Sequence, residues 1–113
     1  MPRPPARLKR RPQFLRVAAS GRKLPSSAML VQALARGDEA PARVGFTVTR
    51  KVGNAVVRNR AKRRLREAAR LVLAERKAAG FDLVLVGRQT TGSVPFARLL
   101  GELGRALDRA GVP

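Results

Sequence analysis

The residues of this chain with the most chemical potential are cations set close together. Between Lys51 and Arg70, in KVGNAVVRNRAKRRLREAAR, only Glu67 interrupts the positive charge. Placed at 100° per residue with Ala61 at zero, Leu65, Ala68 and Val72 fall within about 40°, the narrow apolar stripe of a helix lying on a sheet. Arg58, Asn59, Lys62 and Arg66 then share one flank at about 60 to 160°, and Arg63, Arg70 and Arg60 continue from about 180 to 260°. The like charges at 58, 62 and 66 repel one another at four-residue spacing, a local cost that a polyanion would remove. Ten Lys or Arg stand against one acid between Arg43 and Arg70, beyond the mixed signs of an ordinary solvated face. The chemistry of such an arc is phosphate binding.

Protein-borne catalysis has little to work with. The chain has no Cys and no His, which removes thiolate metal sites, disulfides and the usual general base. Its seven acids are scattered, Asp38 and Glu39 adjoin in a turn, and no carboxylate cluster suits a metal-dependent nuclease. The run from Gly87 to Ser93 lacks the Lys of a phosphate-binding loop and reads as a connection. A net charge of +18 on 113 residues with 44% hydrophobic residues points to a compact nucleic-acid binder. No apolar run approaches the roughly 20 residues of a membrane span and no signal peptide is apparent, so a cytoplasmic location is expected.

The elements that must position the cations follow from periodicity. Residues 1–11, rich in Pro and positive charge, read as a basic flexible arm, and 12–113 as a single nucleic-acid-binding domain. Pro12 opens a short helix in which Phe14, Val17 and Ala18 share a face, and Gly21 is a natural stop. AMLVQALA reads as a strand, RGDEAPA as a turn, and Arg43 to Thr49 as a second strand pairing antiparallel with the first. In that second strand Val44, Phe46 and Val48 point one way and Gly45, Thr47 and Thr49 the other. Gly53 serves the turn into the basic helix and Asn54 its N-cap. That helix is expected to run to about Ala79, with Gly80 just beyond. FDLVLVGR, apolar on both faces, has the pattern of a central strand, and Ser93 and Pro95 open a last helix packed through Phe96, Leu99, Leu100, Leu103 and Leu107.

The motif from Lys51 to Glu67 resembles the signature of the protein subunit of bacterial ribonuclease P. An N-terminal Leu-Lys before a helix with Phe14 and Val17, the VGF-T-V-T strand and the DLVLVGR strand are similar to that family in the same order, over about residues 7–109. The resemblance implies an α/β (α+β) two-layer sandwich of order αβββαβα, ribosomal protein S5 domain 2-like, with a four-stranded sheet. It also implies a left-handed βαβ crossover, against the general right-handed rule. By the same resemblance the protein is the non-catalytic subunit of a ribonucleoprotein endoribonuclease. A ribonuclease P RNA subunit carries the active site and its Mg2+, and removes the 5′ leader of precursor tRNA. The protein would be a monomer, one per RNA.

Carried over residue by residue, the resemblance implies that Phe14, Arg58, Asn59, Lys62 and Arg66 border the leader, and that Lys51, Arg60 and Arg63 face the catalytic RNA. Phe14 reads as either a stacking platform or core. Ala18, Met29 and Gln32 stand where the family commonly has larger or aromatic residues, leaving base stacking mainly to Phe14. Arg64 stands where an apolar residue is common and is expected to snorkel at the rim of the packed stripe. The alternative reading is a ribosomal or general RNA-chaperone protein that binds many RNAs without stimulating one.

Overall fold

The computed structural model describes residues 4–113. Their elements run β1 (Ala6–Arg7), α1 (Arg11–Ser20), β2 (Arg22–Pro25), β3 (Met29–Ala35), β4 (Arg43–Thr47), α2 (Ala55–Ala74), β5 (Phe81–Gly87) and α3 (Phe96–Arg109), with a 3-10 turn over Arg50–Val52. The expected αβββαβα order is present, preceded by one short strand, so the sheet has five strands instead of four. Their order is β1-β4-β5-β3-β2.

That order corrects the expected hairpin between β3 and β4. β5 lies between them, antiparallel to β3 and parallel to β4. Burial explains the choice: Leu83, Val84 and Leu85 are all buried, and only an interior position covers both faces of a strand. β4 and β5 are therefore the parallel pair joined through α2. The third strand before α2 is β2, which pairs with β3 over residues whose charge and proline hide a strand pattern.

α2 and α3 cover one face of the sheet, where Leu65 and Ala68 meet Val31, Val44, Leu83, Leu85, Leu99, Leu103 and Leu107. Phe46 and Val48 join this core from β4, as their alternation predicts. α1 crosses the opposite face, where Val17 packs on Leu8 and Val84 with Phe14, Leu34 and Val86 around them. Met29 is fully buried in the α2/α3 core, so it is not part of the open face on which the family resemblance placed it.

The arm expected over residues 1–11 gives way, for residues 6–8, to fixed structure. β1 pairs parallel with β4, the Leu8 N–H donates to the Val44 carbonyl at 3.0 Å, and the Leu8 side chain is buried. A single apolar residue in a charged run was enough to anchor it. Residues 1–3 of that arm lie outside the described residues.

α2 ends at Ala74, short of the expected Ala79. The N–H groups of Glu75 and Arg76 turn to the carbonyls of Val72 and Leu73, three residues back, which tightens and closes the helix. Arg76 then leaves the helix line to donate to the carbonyls of Gly104 and Val112 and to the Asp108 carboxylate at 2.6 Å. At the start of β5, Asp82 is 1% exposed and ion-paired with Arg36 at 2.6 Å and Arg43 at 2.7 Å. Burial alone would raise its pKa, but the hydrogen bonds from Arg43 and Arg36 outweigh it and lower the value. Among the described residues no helix is long and apolar enough to cross a membrane.

Candidate nucleic-acid interface

α2 starts where the chain leaves β4. The Asn54 side chain accepts from the Val57 N–H at 3.0 Å, capping the first turn. Gly53 ahead of it adopts φ +154°, and a Cβ there would stand 2.9 Å from Val57 Cγ1, so a side chain would unseat the cap. Ala61, Leu65, Ala68 and Ala69 turn into the core, as the stripe requires, and the cations occupy the rest of the surface.

The two flanks of that surface have different surroundings. Toward α3, Arg60 donates through Nε to the Gly92 carbonyl at 2.8 Å. Arg64 donates to the carbonyls of Thr91, at 2.7 Å, and Val94, with its guanidinium 5.9 Å from the centre of the Phe96 ring. Its head does not snorkel into water but latches the loop before α3. Burial, and secondarily the charge of Arg60, lower its pKa. The same loop reaches Lys51, whose carbonyl accepts from Gln89 Nε2 at 3.2 Å.

Toward β4 the cations meet no such partners. Arg58 is half-buried, with a buried Nε that has no hydrogen-bond partner among the described residues. Asn59 and Arg66 are exposed and Lys62 is half-buried. Arg63 and Arg66 line one depression with Pro4, Pro5, Arg7, Phe46, Glu67 and Arg70. Arg7 stands 5.7 Å from the centre of the Phe46 ring, and Arg70 pairs with Glu67. Arg63 thus keeps company with Arg66 and not with Arg60, which divides the expected pair of RNA-facing residues.

Phe14 sits elsewhere. Its ring lies on Gly45 of β4, so close that a Cβ at 45 would be 2.4 Å from Phe14 Cε1. It is half-buried and packs at the edge of the α1 cluster. Because α1 and α2 cover opposite faces, Phe14 and the Lys62/Arg66 flank do not share one pocket. They are joined only around the β4 side of the sheet. The open face near Phe14 carries Gln32 and Ala18, both half-buried. Among the described residues no group of His, Cys, Asp or Glu could hold a metal ion. Asp38, Glu67, Asp82, Glu102 and Asp108 are each held by arginine, and the remaining two, Glu39 and Glu75, belong to no such group, so the described carboxylates do not fit a Mg2+ site.

A sequence profile of the ribonuclease P family matches residues 1–111. The chain belongs to this family. It is 59% identical over 106 residues to the ribonuclease P protein component of Gluconacetobacter diazotrophicus, covering 94% of this chain and 91% of that protein. To the same component of Ruegeria pomeroyi it is 52% identical over 109 residues, covering 94% and 86%. The fold is similar to that of the ribonuclease P protein from Thermotoga maritima, with a TM-score of 0.72 at 30% identity over 91% of this chain and 96% of that one. The Staphylococcus aureus ribonuclease P protein gives a TM-score of 0.76 at 25% identity, over 94% and 95%.

Sequence reasoning missed two features of this ribonuclease P protein. The depression around Phe46 needs β1 beside β4, which two residues of strand do not announce. The Arg64 latch could have been suspected from an arginine beside the apolar stripe, but its carbonyl partners come from a loop 27 and 30 residues away.

Proposed function

We propose that this protein binds the catalytic RNA of ribonuclease P and the 5′ leader of precursor tRNA in the cytoplasm, assisting endonucleolytic removal of the leader while the RNA subunit carries the chemistry and its Mg2+. The observation that carries this reading is the unpaired charge on the β4-ward flank of α2. There, among the described residues, no carboxylate pairs with Arg58, Lys62, Arg63 or Arg66, Glu67 being taken by Arg70, and phosphates would. Phe14, Arg58, Asn59, Lys62 and Arg66 take the leader. A single strand stacked on Phe14 over Gly45 reaches the α2 flank by passing around the β4 side of the sheet, with phosphates tracked by cations and one base on an aromatic platform.

Lys51, Arg60 and Arg63 face the catalytic RNA. The loop after β5 ties Lys51 and Arg60 into one end of the molecule, a rigid surface suited to folded RNA read by shape and backbone. Arg63, beside Arg66, serves both surfaces, so its removal affects both. No protein group acts as a general base or metal ligand in the cleavage step.

The test is precursor tRNA cleavage by bacterial ribonuclease P RNA at low Mg2+, with and without the protein. Stimulation with no cleavage by protein alone is expected. Binding to many RNAs without stimulation would replace this reading with a general RNA chaperone.

A further inference from the structure

α3 carries a second set of cations at the far edge of the sheet. Arg98, Arg105 and Arg109 stand at i, i+7 and i+11, within about 40° of one another on the helix and over about 16 Å of its length. They border a groove of about 300 Å3 between α3 and the chain from Leu24 to Ser27. Arg22, on the same side of β2 as Leu24, extends the line. Since α2 lies over β4 and β5 and α3 over β3 and β2, this groove and the Lys62/Arg66 flank face opposite edges of the sheet.

The acids on α3 do not quench it. Glu102 is buried under the groove, accepting from the Ala28 N–H at 2.8 Å, Ser27 Oγ at 2.9 Å and Arg98 Nε at 3.0 Å. Asp108 is held from the other side by Arg76. Arg98 is oriented by Glu102 and by its 2.7 Å bond to Ser27 Oγ. Arg105, Arg109 and Arg22 have no hydrogen bond or ion pair among the described residues. An ordinary solvated face intersperses signs; here every acid is consumed and three arginines are left over.

We propose that the α3/β2 groove is a second RNA-backbone site, occupied by a folded segment of the catalytic RNA. The inference rests on the proposed function. The occupant follows from chemistry. The groove is lined by no aromatic side chain, so it offers no platform for the unstacked bases of a single strand. A row of guanidinium groups held along one helix fits the phosphates of structured RNA. A contact at the β2 edge leaves both the α1 face and the Lys62/Arg66 flank at the opposite edge open to the leader.

The experiment measures binding of the full-length protein to ribonuclease P RNA across a salt series for wild type, Arg105→Ala with Arg109→Ala, and Arg105→Lys with Arg109→Lys. In the assembled enzyme, the preference for precursor over mature tRNA is measured for the same proteins. Because neither arginine has an internal partner, the melting temperature should not move. The alanine pair is expected to weaken RNA binding about tenfold near physiological salt and to lower the salt slope by roughly two, with the precursor preference unchanged. The lysine pair should restore most of the slope. Unchanged affinity and slope in the alanine pair, while wild type binds, would overturn this inference alone. A loss confined to precursor tRNA would assign the groove to the leader and overturn it as well. Wild-type protein that fails to bind the RNA would overturn the proposed function and this site with it.

Discussion

At the start of β5, Arg36 and Arg43 converge on Asp82, and Arg36 also donates to Asp38 and to the carbonyls of Ala40, Pro41 and Phe81. On the β4-ward flank of α2, Arg58, Lys62, Arg63 and Arg66 pair with no carboxylate among the described residues. The two regions use the same kinds of side chain. In the first, Asp82 is buried against both arginines, and the set closes the turn between β3 and β4 onto β5. In the second, the positive charges repel one another with no carboxylate paired to them among the described residues. A cation's surroundings in this protein are decided by what the fold places opposite it, and α2 shows both cases on one helix: Arg64 is bonded to loop carbonyls, while Lys62 and Arg66 have no acceptor among the described residues.

The largest effect is expected where that opposition is removed outright. Asp82→Ala leaves Arg43 without a carboxylate and Arg36 with Asp38 alone, and should destabilise the protein by about 3 kcal/mol in urea unfolding, the lower end for breaking a buried pair. A loss under 1 kcal/mol would mean that Arg36 and Arg43 are as free as the α2 flank, and the contrast would collapse.

Next comes acid. Burial would raise the pKa of Glu102, but the hydrogen bonds it accepts from the Ala28 N–H, Ser27 and Arg98 bring it from the ordinary 4.5 down to about 2. A carboxylate lowered in the folded state contributes stability above its unfolded pKa and loses it as pH falls through the folded one. Stability should therefore drop between about pH 4.5 and 2, by on the order of 3 kcal/mol from this group. Urea midpoints measured across that window should flatten in Glu102→Gln, and an unaltered slope would contradict the assigned hydrogen bonds.

Arg64 sharpens the comparison within α2. Arg64→Ala gives up charged hydrogen bonds to two loop carbonyls and should cost about 1.5–3 kcal/mol of stability, with little change in the salt slope of RNA binding. Lys62→Ala with Arg66→Ala should do the reverse, leaving stability within about 0.5 kcal/mol and lowering the slope for leader binding by roughly two. Matching phenotypes for the two variants would show one undivided electrostatic patch.

The smallest effect concerns Phe14, which is half-buried in the fold and is the base platform of the proposed function. Phe14→Ala should lower stability by about 1–2 kcal/mol, less than the roughly 3–5 of a fully buried ring. It should weaken precursor but not mature tRNA binding by about 1–3 kcal/mol. Gly45→Ala, which displaces the ring without removing it, should reproduce the leader effect. If only stability responds, Phe14 is core.

The sequence by itself determined that α2 is a basic helix with one apolar stripe, that β5 is interior, that Val44, Phe46 and Val48 face the core, and that α3 packs through its leucines. It did so because each is a local regularity, a period of 3.6 or 2 that the chain carries wherever it folds. Tertiary structure alone decided the partners. It placed β5 between β3 and β4, held β1 by one leucine, turned Met29 inward, and set Phe14 on a different face from Lys62 and Arg66. Above all it sorted the arginines into held and free. For Arg43, Arg60, Arg64 and Arg76 that sorting depends on carbonyls and carboxylates brought from tens of residues away, and no spacing within one element encodes what will stand across from them.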